Sequence, residues 1–412
     1  MNRSPAVIFI RLWRLVVPAV LAGLASQATA VEKTNLFQAG EGGYAMYRIP
    51  ALVVTPQQTL LAACEARKLG RGDWDHVDLL LRRSTDGGRT WEAARELVGQ
   101  RDLPLNMARN PAAIAAGLGR DGVFTINNPT WIADASTGET HLLYCVEYGR
   151  AFIITSRDGG ATFSRPREIT QAFETFRSRD GYAWRVIAIG PGHGVRLSTG
   201  RLLAAVWLST GEGGHAHRPS VCATIYSDNQ GATWLAGEIV ARDPHPLANP
   251  SECAVVETTP GRVMLNIRCE SPRNRRAIAW SADGATNWSR PEFDDALIEP
   301  VCMAGLTRME TVTAGAPHNL LFSNPDSIER RPDAPTTSTS RVRQNLTLRA
   351  SRDGGKTWPV SRVLEPDHSA YSDLAAGADG TIYCFYERGD MGPYEKLTFA
   401  CITPALLLKG SP

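Results

Sequence analysis

A glutamate and an arginine flank a predicted β-hairpin at positions that could bring their side chains together. Two apolar segments, residues 253–256 and 262–267, surround the turn sequence Thr259-Pro260-Gly261. A hairpin centred on Pro260 pairs residues whose numbers sum to 520, so that Glu252 faces Arg268 across the two strands. The pair is therefore a candidate for a chemical role, and an ordinary salt bridge at the rim is the alternative.

Other charged residues and a tyrosine lie where predicted strands begin or end. Taken singly, each is more often a solvated or salt-bridged residue than a catalyst. Together they supply arginines, carboxylates and a phenol at loop ends, where β-folds of this kind build their central sites. They are Arg48, Glu65, Arg67, Asp73, Asp75, Asp78, Arg343 and Tyr371.

One short turn sequence recurs five times and indicates the scaffold that must position these residues. The copies fit Ser-x-[Asp/Asn]-x-x-x-x-[Trp/Phe], start at Ser84, Ser156, Ser227, Ser281 and Ser351, and lie 54 to 72 residues apart. That spacing suits one four-stranded propeller blade with a long loop. Within the octet, the Asp or Asn can bond its own backbone, glycines adopt positive φ, and the aromatic residue packs beneath the blade.

Short β-prone segments separated by Gly, Pro, Asn and Asp fill the chain between the octets. The pattern predicts an all-β fold, specifically a six-bladed β-propeller of antiparallel four-stranded blades forming one domain over residues 31–412. Segments 44–55 and 381–402 are expected to share one blade and so close the ring.

These motifs resemble those of the secreted sialidases (exo-α-sialidases, neuraminidases). The resemblance rests on Tyr47-Arg48-Ile49-Pro50, the five octets (Asp boxes), the segment 190–194 (Gly-Pro-Gly-His-Gly) and Tyr371-Ser372-Asp373-Leu374, and covers residues 44–403. Asp boxes also occur in propellers without catalytic activity, whereas the Arg-Ile-Pro motif is more specific. The resemblance implies a glycoside hydrolase that removes terminal α-linked sialic acid with retention of configuration.

In that family, three arginines bind the sialic acid carboxylate, and the matching positions are Arg48, Arg268 and Arg343. Planar guanidinium groups suit bidentate carboxylate binding. The family's nucleophile, a tyrosine activated by a glutamate, corresponds to Tyr371 and Glu252. Sialidases with a Tyr nucleophile are an exception to two-carboxylate glycosidases. A neutral phenol is not repelled by the substrate carboxylate, and a buried carboxylate must take its proton.

The resemblance assigns four further positions around the sugar. Asp73 matches the acid/base residue, with Asp75 as its nearest rival. Glu387 resembles the residue that orients the first arginine, and Arg67 is expected near the glycerol or 4-hydroxyl side. Asn128 stands where some members have an Asp, which could alter recognition near the 4-hydroxyl. Candidates for the N-acyl pocket are Phe176, Trp184 and Trp207, for each of which core packing is equally expected.

Composition limits the partners and the compartment. Residues 1–30 read as a signal peptide with Arg3, Arg11 and Arg14, an apolar segment and Ala28-Thr29-Ala30, which predicts export to the periplasm or the extracellular space. The net charge of +2 includes those three arginines, so the mature chain is near neutral, which argues against nucleic acid as a partner. We expect a monomer without a stable membrane anchor, acting on sialylated oligosaccharides, glycoproteins or glycolipids.

The cysteines and histidines show no metal-ligand spacing, and the implied chemistry requires neither a metal nor another cofactor. Most of the eight cysteines lie in apolar segments, which favours buried thiols, and Cys253 and Cys269 are the pair most open to a disulfide.

Two other functions remain open. The arginines recognise a carboxylate, which is common to all ulosonic acids, so the enzyme could cleave Kdn or Kdo glycosides or transfer sialic acid to another sugar. A non-catalytic Asp-box propeller that binds glycans is the alternative from a different class.

Overall fold

The computed structural model describes residue 1 and residues 31–309, 319–329 and 339–408. Residues 2–30, most of the predicted signal peptide, lie outside this range, and so does the segment 330–338. β-Strands, nearly all of them antiparallel, are the main secondary structure and make up nearly half of the described chain, as the alternation of β-prone segments and turns predicts. Among the described residues, none of the helices is both long and apolar enough to span a bilayer.

Four sheets of four or five strands follow one another along the chain after strand β1 (Glu32–Gln38). Sheet I contains β2 (Met46–Val54), β3 (Leu60–Arg67), β4 (Val77–Ser84) and β5 (Arg95–Val98). Sheet II contains β6 (Ile126–Asp134), β7 (Glu139–Val146), β8 (Arg150–Ser156), β9 (Arg167–Glu168) and, parallel to β6, β11 (Gly192–His193). Sheet III contains β10 (Val186–Ile189), β12 (Val195–Arg196), β13 (Leu202–Ser209), β14 (Ser220–Ser227) and β15 (Leu235–Arg242). Sheet IV contains β16 (Cys253–Thr259), β17 (Arg262–Ile267), β18 (Arg275–Ser281) and β19 (Glu292–Ile298).

The fifth sheet has seven strands, and it shows that the prediction of six separate four-stranded blades is wrong. Sheet V contains β1, β20 (Gly305–Met309), β21 (Asn319–Pro325), β22 (Gln344–Ser351), β23 (Val360–Ala376), β24 (Ile382–Arg388) and β25 (Lys396–Ile402). The cause is β23, a continuous strand of 17 residues. Its first half pairs with β22 and its second half with β24, so two expected blades merge into one sheet. The fold is therefore four propeller-like sheets and one larger sheet.

The up-and-down strand order decides which residues meet. In sheets I, II and IV the first strand begins, and the second strand ends, at the same end of the sheet. The second half of β23 and the strand β24 repeat this arrangement in sheet V. We call this the upper end. Register shifts interrupt the pairing there, between Arg48 and Ala51 in β2 and between Asn127 and Thr130 in β6. Such bulges re-aim side chains and are common beside active sites.

The five octets form the predicted turns, and they lie at the opposite, lower end because each follows the third strand of its repeat. In the second octet, Ser156 Oγ donates to Asp158 Oδ1 at 2.8 Å and accepts from Gly160 N at 2.8 Å, while Thr162 Oγ1 donates to Asp158 Oδ2 at 2.6 Å. A Cβ on Gly160, whose φ is +80°, would lie 2.4 Å from Leu61 of sheet I. The octet therefore seals one sheet against its neighbour and requires glycine there.

Apolar side chains fill the spaces between successive sheets and close them into a ring. One cluster joins sheet I to sheet II, others join II to III, III to IV and IV to V, and the last joins V to I. In the closing contact β1 pairs with β25, so that Phe37 packs with Tyr47 and Phe385. The expectation that segments near both ends of the propeller share one blade is not met, since residues 46–54 belong to sheet I.

Helices are few. They are α1 (Pro111–Ala115), α2 (Gln171–Ser178) and α3 (Pro404–Leu408), with a 3₁₀ turn at Gln100–Asp102. All eight cysteines are free thiols and seven of them are buried, so the interpretation as buried thiols is confirmed and Cys253 is not bonded to Cys269.

Candidate active site

A cavity of about 580 Å³ opens at the upper end of the ring, and residues from all parts of the chain line it. Seven of the nine predicted site residues contribute to its wall: Arg48, Asp73, Asn128, Glu252, Arg268, Arg343 and Tyr371. The other two, Arg67 and Glu387, are almost completely buried and contact wall residues.

Tyr371 and Glu252 form a short hydrogen-bonded pair on the cavity wall. The Tyr371 hydroxyl lies 2.6 Å from Glu252 Oε2 and 2.8 Å from Oε1, and it accepts a hydrogen bond from Arg268 Nη1 at 2.7 Å. Arg268 Nη1 also donates to Glu252. Burial raises the pKa of Tyr371, and the positive charges of Arg268, Arg343 and Arg48 oppose this only in part. The phenol is therefore neutral at physiological pH, with a carboxylate placed to accept its proton.

The predicted hairpin register explains this contact and is confirmed. Cys253 pairs with Ile267, and these two residue numbers add to the predicted 520. Just beyond the two strands, the backbone N–H of Arg268 donates to Glu252 O at 3.3 Å. Tyr371 comes from sheet V, in the second half of β23. The site thus joins the hairpin of sheet IV to the long strand of sheet V.

Glu387 holds two parts of the site with one carboxylate. Its Oε1 accepts from Arg48 Nε at 2.6 Å and from Ile49 N at 3.0 Å, and its Oε2 accepts from Tyr371 N at 3.0 Å. Ile49 adopts a φ of +60°, which is costly for a β-branched residue. The strained backbone at Ile49 directs its N–H toward Glu387. Because Glu387 also accepts from Arg48 and from Tyr371, this one carboxylate fixes the position of Arg48 relative to Tyr371.

Tyr394 links two of the arginines and was not found from the sequence. Arg343 Nη1 donates to Tyr394 Oη at 3.0 Å, and the Arg48 guanidinium carbon lies 4.0 Å from the centre of the Tyr394 ring. Both arginines also lie over the Tyr371 ring, with guanidinium carbons 5.3 Å and 5.1 Å from its centre. Contacts of this kind hold guanidinium groups in place without neutralising them. A tyrosine in a Gly-Pro loop carries no periodic signal that would have revealed this role.

Asp73 lies at the cavity beside a buried arginine. Arg67 Nη1 donates to Asp73 Oδ1 at 2.9 Å, while its Nη2 donates to the buried Glu65 at 2.6 Å. Burial raises the pKa of Asp73, but the positive charges of Arg67 and Arg48 and the hydrogen bond from Arg67 outweigh burial and bring it to about 2. The Asp73 side chain is 48% exposed, so it is ionised and accessible in this state.

The rival residue Asp75 has a different environment. It does not line the cavity, its backbone N–H donates to Thr125 Oγ1 at 2.9 Å, and its carboxylate lies 3.5 Å from Arg120. Asn128 does line the cavity, with a φ of +58° at the bulge of β6, and its backbone N–H donates to Glu65 Oε1 at 2.9 Å.

Aromatic residues form another wall of the cavity. Trp207 lies there with Trp74, Tyr148 and His217, and the His217 ring centre is 4.9 Å from that of Tyr148 and 5.2 Å from that of Trp207. Burial lowers the pKa of His217, whose Nε2 accepts from Trp74 Nε1 at 3.1 Å, so the imidazole is neutral.

The other two candidates for this wall are not part of it. Trp184 and Phe176 pack in the core between sheets II and III, together with α2. Packing was the alternative that the sequence left open for them.

The cavity wall also contains three charged residues that were not among the predicted site residues: Arg218, Glu270 and Arg341. Glu270 Oε1 accepts from Arg218 Nη2 and Oε2 from Arg341 Nη2, each at 2.6 Å. Within the described ranges, no group of three or more His, Cys, Asp or Glu side chains has an arrangement suited to a metal ion.

The ring of antiparallel sheets, the five octets and the arginine-lined cavity define a BNR-repeat protein. Residues 111–384 match the BNR repeat-like domain family, and the chain belongs to that family. It is 31% identical to a sialidase of Micromonospora viridifaciens over 88% of this chain and 53% of the relative, and 30% identical to a sialidase of Bacteroides fragilis over 85% and 61%.

A solved structure, a Hadza microbial sialidase, superposes with a TM-score of 0.69 at 26% identity, covering 90% of this chain and 68% of that one. The chain is thus similar to sialidases over most of its own length. It spans about half to two thirds of the lengths of these three proteins.

Proposed function

We propose that the protein is an exo-α-sialidase that hydrolyses terminal α-linked sialic acid with retention of configuration. The observation that carries the proposal is the Tyr371 hydroxyl, 2.6 Å from Glu252, in a cavity that Arg48, Arg268 and Arg343 also line. The family relationship supports the same activity.

The substrate carboxylate would bind to the three arginines. Arg48 and Arg343 lie over the Tyr371 ring and Arg268 donates to its hydroxyl, so a carboxylate bound between them lies next to the nucleophile. In sialic acid the anomeric carbon carries the carboxylate, so binding this group places that carbon beside the Tyr371 oxygen. A neutral nucleophile avoids repulsion by the bound carboxylate.

In the first half of the proposed reaction, the Tyr371 oxygen forms a bond to the anomeric carbon and the glycosidic bond breaks. Glu252 takes the phenolic proton, and Asp73 gives a proton to the departing oxygen. In the second half, Asp73 takes a proton from water, whose oxygen attacks the anomeric carbon while the Tyr371 oxygen leaves and recovers its proton from Glu252. Two displacements at one carbon retain its configuration.

Asp73 must be protonated before the first half, although its pKa in the empty site is about 2. A bound substrate carboxylate offsets the positive charge that lowers this pKa, and the sugar removes Asp73 from solvent. Both effects raise the pKa of Asp73. In this proposal the substrate therefore prepares its own acid catalyst.

The arginines and Tyr371 suit any ulosonic acid and either water or a sugar as the acceptor. Kdn and Kdo glycosides, and transfer of sialic acid, thus remain alternatives that product analysis distinguishes. The proposed substrates are sialylated oligosaccharides, glycoproteins and glycolipids. Export to the periplasm or the extracellular space remains a proposal that rests on residues 1–30.

The test compares Tyr371→Phe with Tyr386→Phe, using an aryl sialoside and proton NMR of the first product. Tyr386 is the matched control because it is also buried and donates to a glutamate, Glu365, at 3.0 Å, but it does not line the cavity. We expect Tyr371→Phe to fold and to lose kcat by orders of magnitude, and Tyr386→Phe to remain active. A wild type that releases the β-anomer first, or an active Tyr371→Phe, would refute the mechanism.

A further inference from the structure

Arg218, Glu270 and Arg341 continue the carboxylate site outward along the cavity, and we call them the outer tier. Glu270 follows Arg268 by two residues, and Arg341 precedes Arg343 by two. Residues two apart on extended chain share a face. The ladder of sheet IV continues past its strands as far as Glu270, whose backbone N–H donates to Ala248 O at 2.8 Å. The outer tier is also more exposed, since the side chains of Arg218 and Arg341 are 39% and 45% exposed against 14% for Arg268.

The structure holds the outer tier in place from several directions. Glu270 bridges the two guanidinium groups, as described above. Thr339 Oγ1 donates to Glu270 O at 2.9 Å, and the backbone N–H of Ser340 donates to Asn274 Oδ1 at 3.2 Å, which fixes the segment that carries Arg341. Two buried or half-buried tethers of this kind make a preorganised arrangement rather than two free surface side chains.

The outer tier carries a net positive charge after its internal ion pairs are counted. Two guanidinium groups share one carboxylate, and each guanidinium has five N–H donors. Burial lowers the pKa of Arg341, and Glu270 raises it. The positive charges of Arg268, Arg218 and Arg343 lower it further, which shows that these arginines lie close enough to act on Arg341. The outer tier therefore lies within the positive field of the carboxylate site and can accept a second anion.

The chemistry of the proposed substrate says which anion would lie there. In a sialoside, the anomeric carbon bears both the carboxylate and the glycosidic oxygen, so the aglycone starts one bond from the carbon that the arginines fix. For an aglycone that leaves the carboxylate site beside Arg268 and Arg343, the outer tier lies on the way to solvent.

We propose that Arg218 and Arg341, bridged by Glu270, form a subsite for an anionic group on the aglycone, either the carboxylate of a second sialic acid or a sulfate ester. This inference rests on the proposed sialidase function and specifies its substrate class. The enzyme accordingly favours sialosides with a charged aglycone over otherwise identical sialosides with a neutral one.

The test measures kcat/KM for two matched substrate pairs. The first pair is the α2,8-linked sialic acid dimer and the same dimer with the carboxylate of its reducing-end (aglycone) residue reduced to an alcohol. The second pair is a 6-sulfated and an unsulfated α2,3-sialyl-N-acetyllactosamine. Each charged-to-neutral ratio is compared between wild type, Arg341→Gln and Arg218→Gln. We expect at least one wild-type charged-to-neutral ratio of kcat/KM to exceed one. That ratio should fall about tenfold in each variant, which is the effect of losing one charge-assisted hydrogen bond in a half-exposed site. The pair that responds identifies carboxylate or sulfate.

Two further variants make the result specific. Glu270→Gln removes the negative charge of the outer tier, so the charged-to-neutral ratio should rise rather than fall. Arg89→Gln, in the first octet at the lower end, changes the net charge equally and should leave the ratio as in wild type. Wild-type ratios of one in both pairs, or ratios that the Arg218 and Arg341 variants do not change, overturn the inference while the sialidase function stands. Failure of the wild type to hydrolyse any of the four substrates removes both proposals.

Discussion

Replacing Glu387 with glutamine should destabilise the protein more than any exposed ion-pair substitution and should weaken substrate binding as well. Glu387 is completely buried, and its two oxygens accept from Arg48 Nε, Ile49 N and Tyr371 N at 2.6–3.0 Å. Glutamine has the same shape but only one accepting oxygen. In either amide orientation, its NH₂ group faces an N–H donor, and Arg48 loses its buried counter-ion.

The size of the effect follows from these contacts. Removing one partner of a buried ion pair costs about 3–5 kcal/mol, and leaving a buried donor unsatisfied costs about 1–3 kcal/mol. The two costs overlap, because Arg48 keeps its contact with the Tyr394 ring and lines the cavity. We therefore expect a loss of about 3 kcal/mol, which a domain with a stability of about 5–15 kcal/mol survives. A misoriented Arg48 should also raise KM about tenfold, the equivalent of about 1.4 kcal/mol.

Urea unfolding and sialoside kinetics test this prediction together. The matched control is Glu92→Gln, which removes the same charge from the half-exposed pair with Arg83, 2.7 Å apart. That variant should lose no more than about 0.5 kcal/mol and keep its KM. If Glu387→Gln is no less stable than Glu92→Gln, or if its KM is that of wild type, Glu387 does not organise the site as argued.

Three further predictions concern Asp73, Tyr394 and the octets. Asp73→Asn should slow hydrolysis of sialyllactose far more than that of an aryl sialoside, because an acidic phenol leaves without a proton; equal losses would contradict the acid role. Tyr394→Phe removes the acceptor for Arg343 but keeps the ring over Arg48, so KM should rise about tenfold with little change in kcat. Hydrogen bonds from Thr162 hold the pKa of Asp158 at about 2, below its unfolded value of about 3.9. That stabilisation is complete only above about pH 5 and is lost as pH falls toward 2, so melting curves of wild type and Asp158→Asn should approach each other there.

The sequence predicted the contacts that short-range geometry determines. The register that places Glu252 against Arg268 follows from a Pro-Gly turn and two apolar segments, which are local features. The hydrogen bonds that close each octet turn likewise join residues of the same octet, such as Asp158 and Thr162. In both cases a few consecutive residues decide the structure.

Long-range organisation was harder to predict. Nothing in the sequence near Pro366 indicated that one continuous strand, β23, would belong to two of the expected blades. A proline can end a strand, but it is also compatible with extended chain at a bulge. The roles of Tyr394 and of the outer tier depend on neighbours that are distant in the sequence. For Trp207 and Trp184, composition alone could not tell which aromatic residue faces the cavity and which the core.

The pairing of β1 with β25 has a consequence for how the chain is made. Strand β1 adds to the edge of sheet V beside Lys396–Ile402, about 360 residues later in the sequence. During translation β1 is therefore synthesised early, but its partner strand β25 exists only after nearly all of the described chain has been made. Sheets I to IV can pair their strands as they emerge, but the ring closes only afterwards, and until then the apolar face of Phe37 needs protection from aggregation.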